Sequence, residues 1–571
     1  MRKITIIING KKVETLEGKT ILEIAKENRI DLPNLCWHSD LKIKAGCRLC
    51  LVEIKGRGGL DTACSTLAED GMEIVTESLD LTRIRKINLE LIFAQHKEEC
   101  NKCAWGEGCR LLNLAKKYGV NITRFKDRKK DFPCYHFGPS LEFDSSKCID
   151  CRNCVEVCER QGKGFLEVKE NKDFFQIIPS KSEKKDCIFC GQCIIRCPAG
   201  AVKEISDLEE VEKALGDKNK IVVVQFAPSI RTSIGEDFGM EFGQDVTGKL
   251  ISALKKTGFK EVFDVCVGAD VTTVEEADEL IERLKGKKNL PLFTSCCPAW
   301  VKFVEFYRPD LIPNLTSVRS PHIILGGLIK GFWAKKEKID RKKIVVVSVM
   351  PCVAKKYEIR REELRINDLR PVDFVLTTRE LALLFNKKKI DLKNIDSADM
   401  ESPFGVPSGA GIIYGASGGV IESALRTAYA KITGNNLLRV EFGEVRGLQG
   451  TKKAEIKIND RVIRVAVVNG IKNAEKILDE LKKDPKAFDY VEVMACFGGC
   501  IGGGGQPLPS DAKIREERKQ GLYSIDEKQK IRLANENPIV KAVYRDFLNK
   551  ENVRHNICHT RYRKKKKEVK F

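Results

Sequence analysis

Three short cysteine-bearing stretches constrain this chain more than any other feature. They read Thr294-Ser295-Cys296-Cys297-Pro298-Ala299-Trp300, Met350-Pro351-Cys352-Val353-Ala354-Lys355-Lys356 and Met494-Ala495-Cys496-Phe497-Gly498-Gly499-Cys500. Each follows a short apolar run with the character of a buried strand: Leu292-Phe293, Ile344 to Val349, and Val491 to Met494. In open α/β sheets, ligands bind at the carboxyl ends of the strands. The expectation is a fold in which three strand ends deliver thiolates to one crevice. Soft thiolates gathered inside a cell suit iron–sulfur chemistry or zinc better than disulfides.

The other cysteines point the same way. The chain has 23 in 571 residues, and most fall in C-x2-C groups within the first 200. The apolar run after Arg2-Lys3 is too short for a signal peptide and ends in the turn signal Asn9-Gly10. No stretch of about 18 apolar residues occurs, so no membrane span is expected and a cytoplasmic location follows. In that setting C-x2-C groups read as metal binding. The length calls for several domains. A formal charge of +20 favours acidic partners, with small acidic electron carriers and nucleic acid as the two candidates. The basic run Arg561 to Lys567 reads as a solvated, disordered terminus.

Four modules are expected. Residues 1–80 open with a β-hairpin, Thr5 to Ile8 and Lys12 to Thr15 around Asn9-Gly10, then a capping box at Thr20-Ile21-Leu22-Glu23 before a short helix. Cys36, Cys47, Cys50 and Cys64 follow as C-x10-C-x2-C-x13-C. Four thiolates suit a [2Fe–2S] cluster or a structural zinc, and the long first gap favours the cluster. Residues 81–127 carry His96-x3-Cys100-x2-Cys103-x5-Cys109, a set that fits zinc or a four-iron cluster. Residues 128–209 hold an internal repeat: Cys148-x2-Cys151-x2-Cys154-x3-Cys158 recurs as Cys187-x2-Cys190-x2-Cys193-x3-Cys197-Pro198. In such a bacterial two-cluster ferredoxin run the fourth cysteine serves the other cluster. The expected sets are Cys148, Cys151, Cys154 with Cys197, and Cys187, Cys190, Cys193 with Cys158. Residues 210–571 begin with a helical linker and continue as strand-like runs alternating with helices, Ile221 to Val224, Val262 to Val265, Ile344 to Val349, Phe374 to Leu376, Val465 to Val468 and Val491 to Met494. That pattern argues for α/β units with a largely parallel sheet.

Within this last module Cys297, Cys352, Cys496 and Cys500 can hold one more [4Fe–4S] cluster. Cys296 and Cys297 are adjacent and cannot easily face the same side, so one would ligate while the other stays free nearby; a free thiol of pKa about 8.5 is a proton donor at neutral pH. Gly498 and Gly499 let backbone amides point at cluster sulfurs. The glycine-rich segment 408–419 lacks the ending of a P-loop and reads as backbone approaching a bulky group. No G-x-G-x-x-G follows a strand.

The three stretches closely resemble the signature motifs of the [FeFe]-hydrogenases, and the N-terminal modules resemble the accessory domains of the large clostridial type, over nearly the whole chain. The resemblance implies a multidomain α+β and α/β protein: a ubiquitin-like [2Fe–2S] domain, a small His/Cys [4Fe–4S] domain, a two-cluster ferredoxin domain and a large α/β H-cluster domain. It implies one [2Fe–2S] cluster, three accessory [4Fe–4S] clusters and an H-cluster, a cubane on Cys297, Cys352, Cys496 and Cys500 linked through Cys500 to a two-iron unit with CO, cyanide and azadithiolate. Cys296 looks like the proton-shuttle cysteine, with a route outward through Glu276, Thr316, Glu279 and Arg283. Glu276 and Glu279 follow Ala269-Asp270-Val271-Thr272-Thr273-Val274-Glu275, and their spacing places both on one helical face. Lys355 looks like the residue that binds a cyanide nitrogen. Pro228, Ser229, Met350, Met494 and His322 match residues lining the two-iron unit. The chain departs from the family at Ala299 (usually Gly), Phe497 (commonly Pro), Thr316 (commonly Ser) and His322 (commonly Gln); His322 is also able to titrate. Cys134, Cys266 and Cys558 match no ligand position.

The implied activity is reversible reduction of protons to hydrogen with electrons from reduced ferredoxin, and dedicated maturation proteins are implied partners, with no nucleic acid. A second reading is the same chemistry inside a complex with flavin-bearing, NADH-oxidising or bifurcating subunits. A third is an electron conduit like the iron–sulfur arm of respiratory complex I, which leaves the three late cysteine stretches unexplained. A fourth is a redox sensor, a role in which the shuttle cysteine tends to be lost, whereas Cys296 is intact.

Overall fold

The computed structural model describes residues 2–98, 108–129, 131–171, 174–399, 402–435 and 441–569. Cys100 and Cys103 lie outside the described residues.

The chain opens with β1 (Lys3–Ile8) and β2 (Lys11–Leu16), an antiparallel hairpin. Asn9 and Gly10 both adopt positive φ, 49° and 81°, the two-residue turn that matches strand twist. Ile4, Ile6 and Ile8 alternate inward. With β3 (Leu51–Ile54), β4 (Asp61–Thr62) and β5 (Glu73–Val75) they form a sheet of order β2-β1-β5-β3-β4, covered by the helix Ile21–Glu27. The Thr20–Glu23 capping box at its start is formed in both directions. The helices Leu79–Phe93 and Arg110–Lys117 follow. Buried Arg85 ties the first of these to the sheet by donating to the carbonyls of Leu49, Leu51 and Thr76.

The repeat region contributes β6 (Cys134–Phe137), β7 (Leu141–Asp144), β8 (Leu166–Asn171), β9 (Phe174–Pro179) and β10 (Val202–Glu204). They form a sheet of order β10-β7-β6 and a separate β8-β9 hairpin.

The second half adds β11 (Ile221–Phe226), β12 (Val262–Asp264), β13 (Leu292–Phe293), β14 (Ile344–Met350), β15 (Phe374–Thr377), β16 (Thr451–Ile458), β17 (Arg461–Asn469) and β18 (Tyr490–Met494). The expected strand–helix alternation is present, in two four-stranded sheets rather than one. The order β12-β11-β14-β15 is wholly parallel, and its near-continuous apolar runs fit strands covered on both faces. The order β13-β18-β17-β16 is parallel except for the β16–β17 hairpin, whose turn at Asn459 and alternating pattern went unread in the sequence. The long helix Val265–Gly286 is buried over most of its length. Gly268 and Gly411 let it approach its neighbours: a Cβ at Gly268 would lie 2.2 Å from the Pro321 carbonyl, and one at Gly411 2.4 Å from the Cys266 carbonyl. Most of the glycine-rich segment 408–419 therefore serves close packing of backbone on backbone.

The modules interlock. Asp40 of the first module accepts from Arg196 of the repeat region (2.6 Å) and from both nitrogens of Arg515 near the C-terminus (2.9 Å). Gly191 and Gly504 meet backbone to backbone; a Cβ on Gly504 would lie 2.7 Å from the Gly191 Cα. Phe497 receives the Arg196 guanidinium on its ring at 5.2 Å. The basic tail is packed rather than solvated: Lys567 is buried and donates to the carbonyls of Ser180 and Ser182, Glu568 takes an ion pair from Lys302, and Val569 is buried. The run Arg561 to Lys567, which holds six cations, is followed by a residue pair, Glu568-Val569, that supplies a charge and an apolar anchor for docking.

Candidate metal centre and proton path

The three cysteine stretches converge on one buried cavity. Cys297 follows β13, Cys352 follows β14, and Cys496 and Cys500 follow β18. The carboxyl ends of two separate sheets thus meet, and β11 of the first sheet adds Pro228 and Ser229. Met350, Met494, Lys355, His322 and Cys296 also line the cavity, as does Gly415 of the glycine-rich segment. Burial pushes the thiols of Cys297, Cys352, Cys496 and Cys500 above their ordinary pKa, and each is raised further by its cysteine neighbours or held back by Lys355. Four thiols lining one apolar pocket could serve as the donor set of an iron–sulfur cubane. The Ala495 amide donates toward the Cys297 Sγ at 3.5 Å. Gly499, at φ 94°, stands where a Cβ would strike Ser417 N at 2.6 Å.

Lys355 is the one lysine lining this cavity among the described residues. Its Nζ donates to the Cys296 carbonyl (3.1 Å) and to Glu358 Oε2 (2.7 Å), which leaves one N–H for a ligand. Burial acts against its charge, but Glu358 more than offsets this and raises the lysine pKa. Glu358 also accepts from His322 Nε2 at 2.5 Å, while His322 Nδ1 lies 3.1 Å from Ser348 Oγ. Burial and the Lys355 charge push His322 down to about 4, so it is neutral at pH 7 and does not titrate there. Gln506, also buried, donates to the Cys500 carbonyl (3.2 Å) and Ser229 Oγ (3.3 Å). Glu358 and Gln506 escaped the sequence reading. Glu358 stands three residues after Lys355 on one helix, a legible spacing; Gln506 carries no such signal. Ala299 is buried in the adjoining core.

On the far side of Cys296, Glu276 is buried and receives the Tyr490 hydroxyl at 2.6 Å. Burial pushes its carboxyl up to about 8, with Tyr490 working against and Glu279 and Glu492 adding to the shift. Glu279, one turn on, accepts from Thr316 Oγ1 (2.8 Å) and pairs with Arg283. The Cys296 thiol is raised well above its usual value by burial and then by Glu276. Thr316 and Arg283 thus bond Glu279, and Glu276 lies close enough to both Glu279 and Cys296 for their charges to be felt.

The accessory cysteines fall into separate groups. Cys36, Cys47, Cys50 and Cys64 lie together; the Cys47 amide donates to Cys36 Sγ at 3.4 Å, and the thiols interact in two pairs, Cys36 with Cys47 and Cys50 with Cys64. Cys148, Cys151, Cys154 and Cys197 surround one small cavity, and Cys158, Cys187, Cys190 and Cys193 another. His96 is buried, and its Nδ1 lies 2.8 Å from the Lys147 carbonyl. That bond requires Nδ1–H and leaves Nε2 unprotonated, the tautomer a metal ligand needs. Cys109 is buried at the start of the helix Arg110–Lys117. Cys266 and Cys558 are buried away from these groups, and Cys134 is exposed.

A cavity walled by four thiols, with further thiol groups beyond it and buried acids beside Cys296, has the make-up of an iron–sulfur oxidoreductase. Residues 220–504 match the iron only hydrogenase large subunit, C-terminal domain. Residues 1–78 match a 2Fe-2S iron–sulfur cluster binding domain, 85–124 the NADH-ubiquinone oxidoreductase-G iron–sulfur binding region, 147–201 a 4Fe-4S dicluster domain, and 512–565 the iron hydrogenase small subunit. The chain is 40% identical to the NADP-reducing hydrogenase subunit HndD of Solidesulfovibrio fructosivorans, with 99% of this chain and 100% of that protein covered. It is 39% identical to iron hydrogenase 1 of Clostridium pasteurianum, with 98% and 100% covered. A solved apo [FeFe]-hydrogenase HydA1 variant from Chlamydomonas reinhardtii matches with a TM-score of 0.56 and 37% identity, over 62% of this chain and 98% of that one. The chain belongs to the [FeFe]-hydrogenase family and is a hydrogenase-type iron–sulfur oxidoreductase. Among the described residues no helix is long and apolar enough to cross a membrane.

Proposed function

We propose that this chain reversibly converts protons and electrons to hydrogen, with reduced ferredoxin or a similar acidic carrier as its electron partner. The observation that carries the reading is the single cavity in which Cys297, Cys352, Cys496 and Cys500 meet with Lys355 and Cys296 on its wall. These four cysteines would hold the H-cluster, Cys500 serving both its cubane and its two-iron part; when bound, the group would supply redox-active iron for the reduction of protons. Lys355 would donate to an anionic ligand there, and Pro228, Ser229, Met350, Met494 and His322 would enclose it and exclude water. Cys296 exchanges protons with Glu276, which hands them toward Thr316 and Glu279. A carboxyl at about 8 and a protonated thiol are both able to carry a proton at neutral pH.

The remaining groups form the wire. Cys496 Sγ lies 4.0 Å from the Cys190 carbonyl, so the Cys158, Cys187, Cys190, Cys193 set adjoins the centre. The Cys148, Cys151, Cys154, Cys197 set comes next. Cys151 shares a cavity with Cys36 and Cys47, and His96 bonds the residue before Cys148, so two entrances converge on this set. His96, Cys100, Cys103 and Cys109 would hold the cluster at the second entrance. The charge of +20 supports an acidic carrier. A second reading, a catalytic subunit working with flavin-bearing, nucleotide-oxidising partners, is favoured by the full-length similarity to an NADP-reducing hydrogenase subunit. Replacement of Cys296 by Ala tests the assignment: turnover should fall at least about 100-fold with cluster spectra unchanged, and parental rates would overturn it.

A further inference from the structure

The Arg283 guanidinium pairs with Glu279 Oε1 and also donates to the carbonyls of Asn289 (3.0 Å), Pro313 (3.1 Å), Asn314 (3.3 Å) and Leu315 (2.9 Å). A guanidinium stays protonated in proteins. Arg283 therefore fixes Glu279 and takes no proton from it. The other carboxylate oxygen, Oε2, accepts from Ser317 Oγ and from the Ser317 amide, each at 3.0 Å. Ser317 Oγ lies 2.9 Å from His559 Nδ1, and His559 Nε2 lies 2.9 Å from Glu275 Oε2. The contact is pinned on both sides: Arg319 N donates to the Cys558 carbonyl at 2.7 Å, and Thr560 N to the Ser317 carbonyl at 2.8 Å.

Glu275 fixes the tautomer. Burial would raise its carboxyl, but hydrogen bonds from His559, Arg554 and Tyr544 hold it at about 2, so it remains an acceptor. Nε2 therefore carries hydrogen, and in the neutral ring Nδ1 presents a lone pair to the Ser317 hydroxyl. In the imidazolium, Nδ1–H donates to Ser317 and Ser317 donates to Glu279. The two arrangements differ by one proton and one rotation of a hydroxyl.

We propose that Ser317 and His559 form a second proton exit from Glu279, separate from the surface beside Arg283. The proton on Glu279 passes to Ser317 Oγ as the serine's own proton passes to His559 Nδ1. The imidazolium, paired with Glu275, releases a proton to solvent; its side chain is 19% exposed and stacks on His555 at 5.7 Å. The groups facing the ring are Ser317, Glu275 of the long helix and His555 of its own helix; Arg554 and Tyr544 bond the same Glu275 carboxylate, and Arg319 donates to the His559 carbonyl at 2.7 Å. The proposal rests on the hydrogenase reading. It adds that the C-terminal segment, which matches the small-subunit family, supplies a relay group.

Two measurements on the anaerobically matured chain test it. Infrared difference spectra across a pH step, with histidine ring-labelled and no electron donor present, should show an imidazole change coupled to a carboxyl change. Ser317→Ala should uncouple them; a coupling that survives Ser317→Ala overturns the relay whether or not hydrogen is made. In hydrogen evolution, Ser317→Ala and His559→Ala should each lower kcat severalfold with KM for the donor unchanged, and free imidazole should restore His559→Ala. Parental kcat and pH profile in both variants overturn the proposal. An inactive parent chain overturns the hydrogenase reading instead, and the infrared coupling still decides the relay.

Discussion

Tyr490 donates its hydroxyl to Glu276 Oε1 at 2.6 Å, both groups fully buried, on the side of Cys296 away from the metal cavity. This bond is the main influence opposing the burial that lifts Glu276 to about 8. The carboxyl is protonated below that pH and loses its proton above it. If a protonated Glu276 limits proton supply, hydrogen evolution falls as pH rises through about 8. Tyr490→Phe removes the opposing bond, so the pKa rises further and the fall moves to higher pH. Steady-state pH profiles of parent and variant check the shift. The stability sign follows from the same pKa: the folded state holds the proton more tightly than the unfolded chain, so Glu276 erodes stability as pH rises from its model-peptide value of about 4.3 toward 8.

Cys158 shares a cavity with Cys187, Cys190 and Cys193, although it is the fourth cysteine of the other run. Cys158→Ser is expected to disturb the cluster of the second set and leave that of the first, while Cys197→Ser does the reverse. Electron paramagnetic resonance of the reduced variants distinguishes the two outcomes.

Glu358 is shared by Lys355 and His322. Glu358→Gln removes the counter-charge of a buried lysine, which lowers the lysine pKa and loosens its hold on an anionic ligand. The expected result is weaker retention of the two-iron unit, read from the intensity of CO and cyanide infrared bands. His322→Gln, which keeps a neutral hydrogen-bonding side chain, should leave those bands near parental strength.

Asp40 joins three modules through Arg196 and Arg515. Burial would raise its carboxyl, yet Arg515 and then Arg196 bring it down to about 2. Asp40→Asn strands a buried guanidinium at a cost of about 3–5 kcal/mol. The first module should then undock more readily, with faster limited proteolysis and slower electron delivery to the later clusters. The depressed carboxyl stabilises the interface above its unfolded pKa, and that contribution is lost as pH falls through about 2.

The metal-binding character of this protein was legible because cysteine spacing is short-range information. The ligands of each C-x2-C pair stand three positions apart in the chain, and the strands before Cys297, Cys352 and Cys496 announce themselves as apolar runs. The convergence of Cys297, Cys352, Cys496 and Cys500 was readable as a requirement of chemistry, but the pairing of two sheets that achieves it was not, because strand order is set by long-range contacts. Tyr490, Gln506, Ser317 and His559 went unread for the same reason: their partners lie 214, 277, 38 and 284 positions away. Phe497, a departure from the family pattern, stacks beneath Arg196 of the docked repeat region, and no local pattern marks such a contact. The basic tail was misread because charge density was weighed without Glu568 and Val569, which anchor it.

The most direct test of the central claim is hydrogen evolution by the isolated, anaerobically matured chain, with reduced ferredoxin and then a reduced pyridine nucleotide as sole donor and infrared bands of CO and cyanide recorded on the same sample. The account predicts hydrogen from ferredoxin alone. Failure with both donors but turnover with a reduced viologen dye would move the protein into the multi-subunit reading. Intact CO and cyanide bands without hydrogen from any donor, the dye included, would contradict the account.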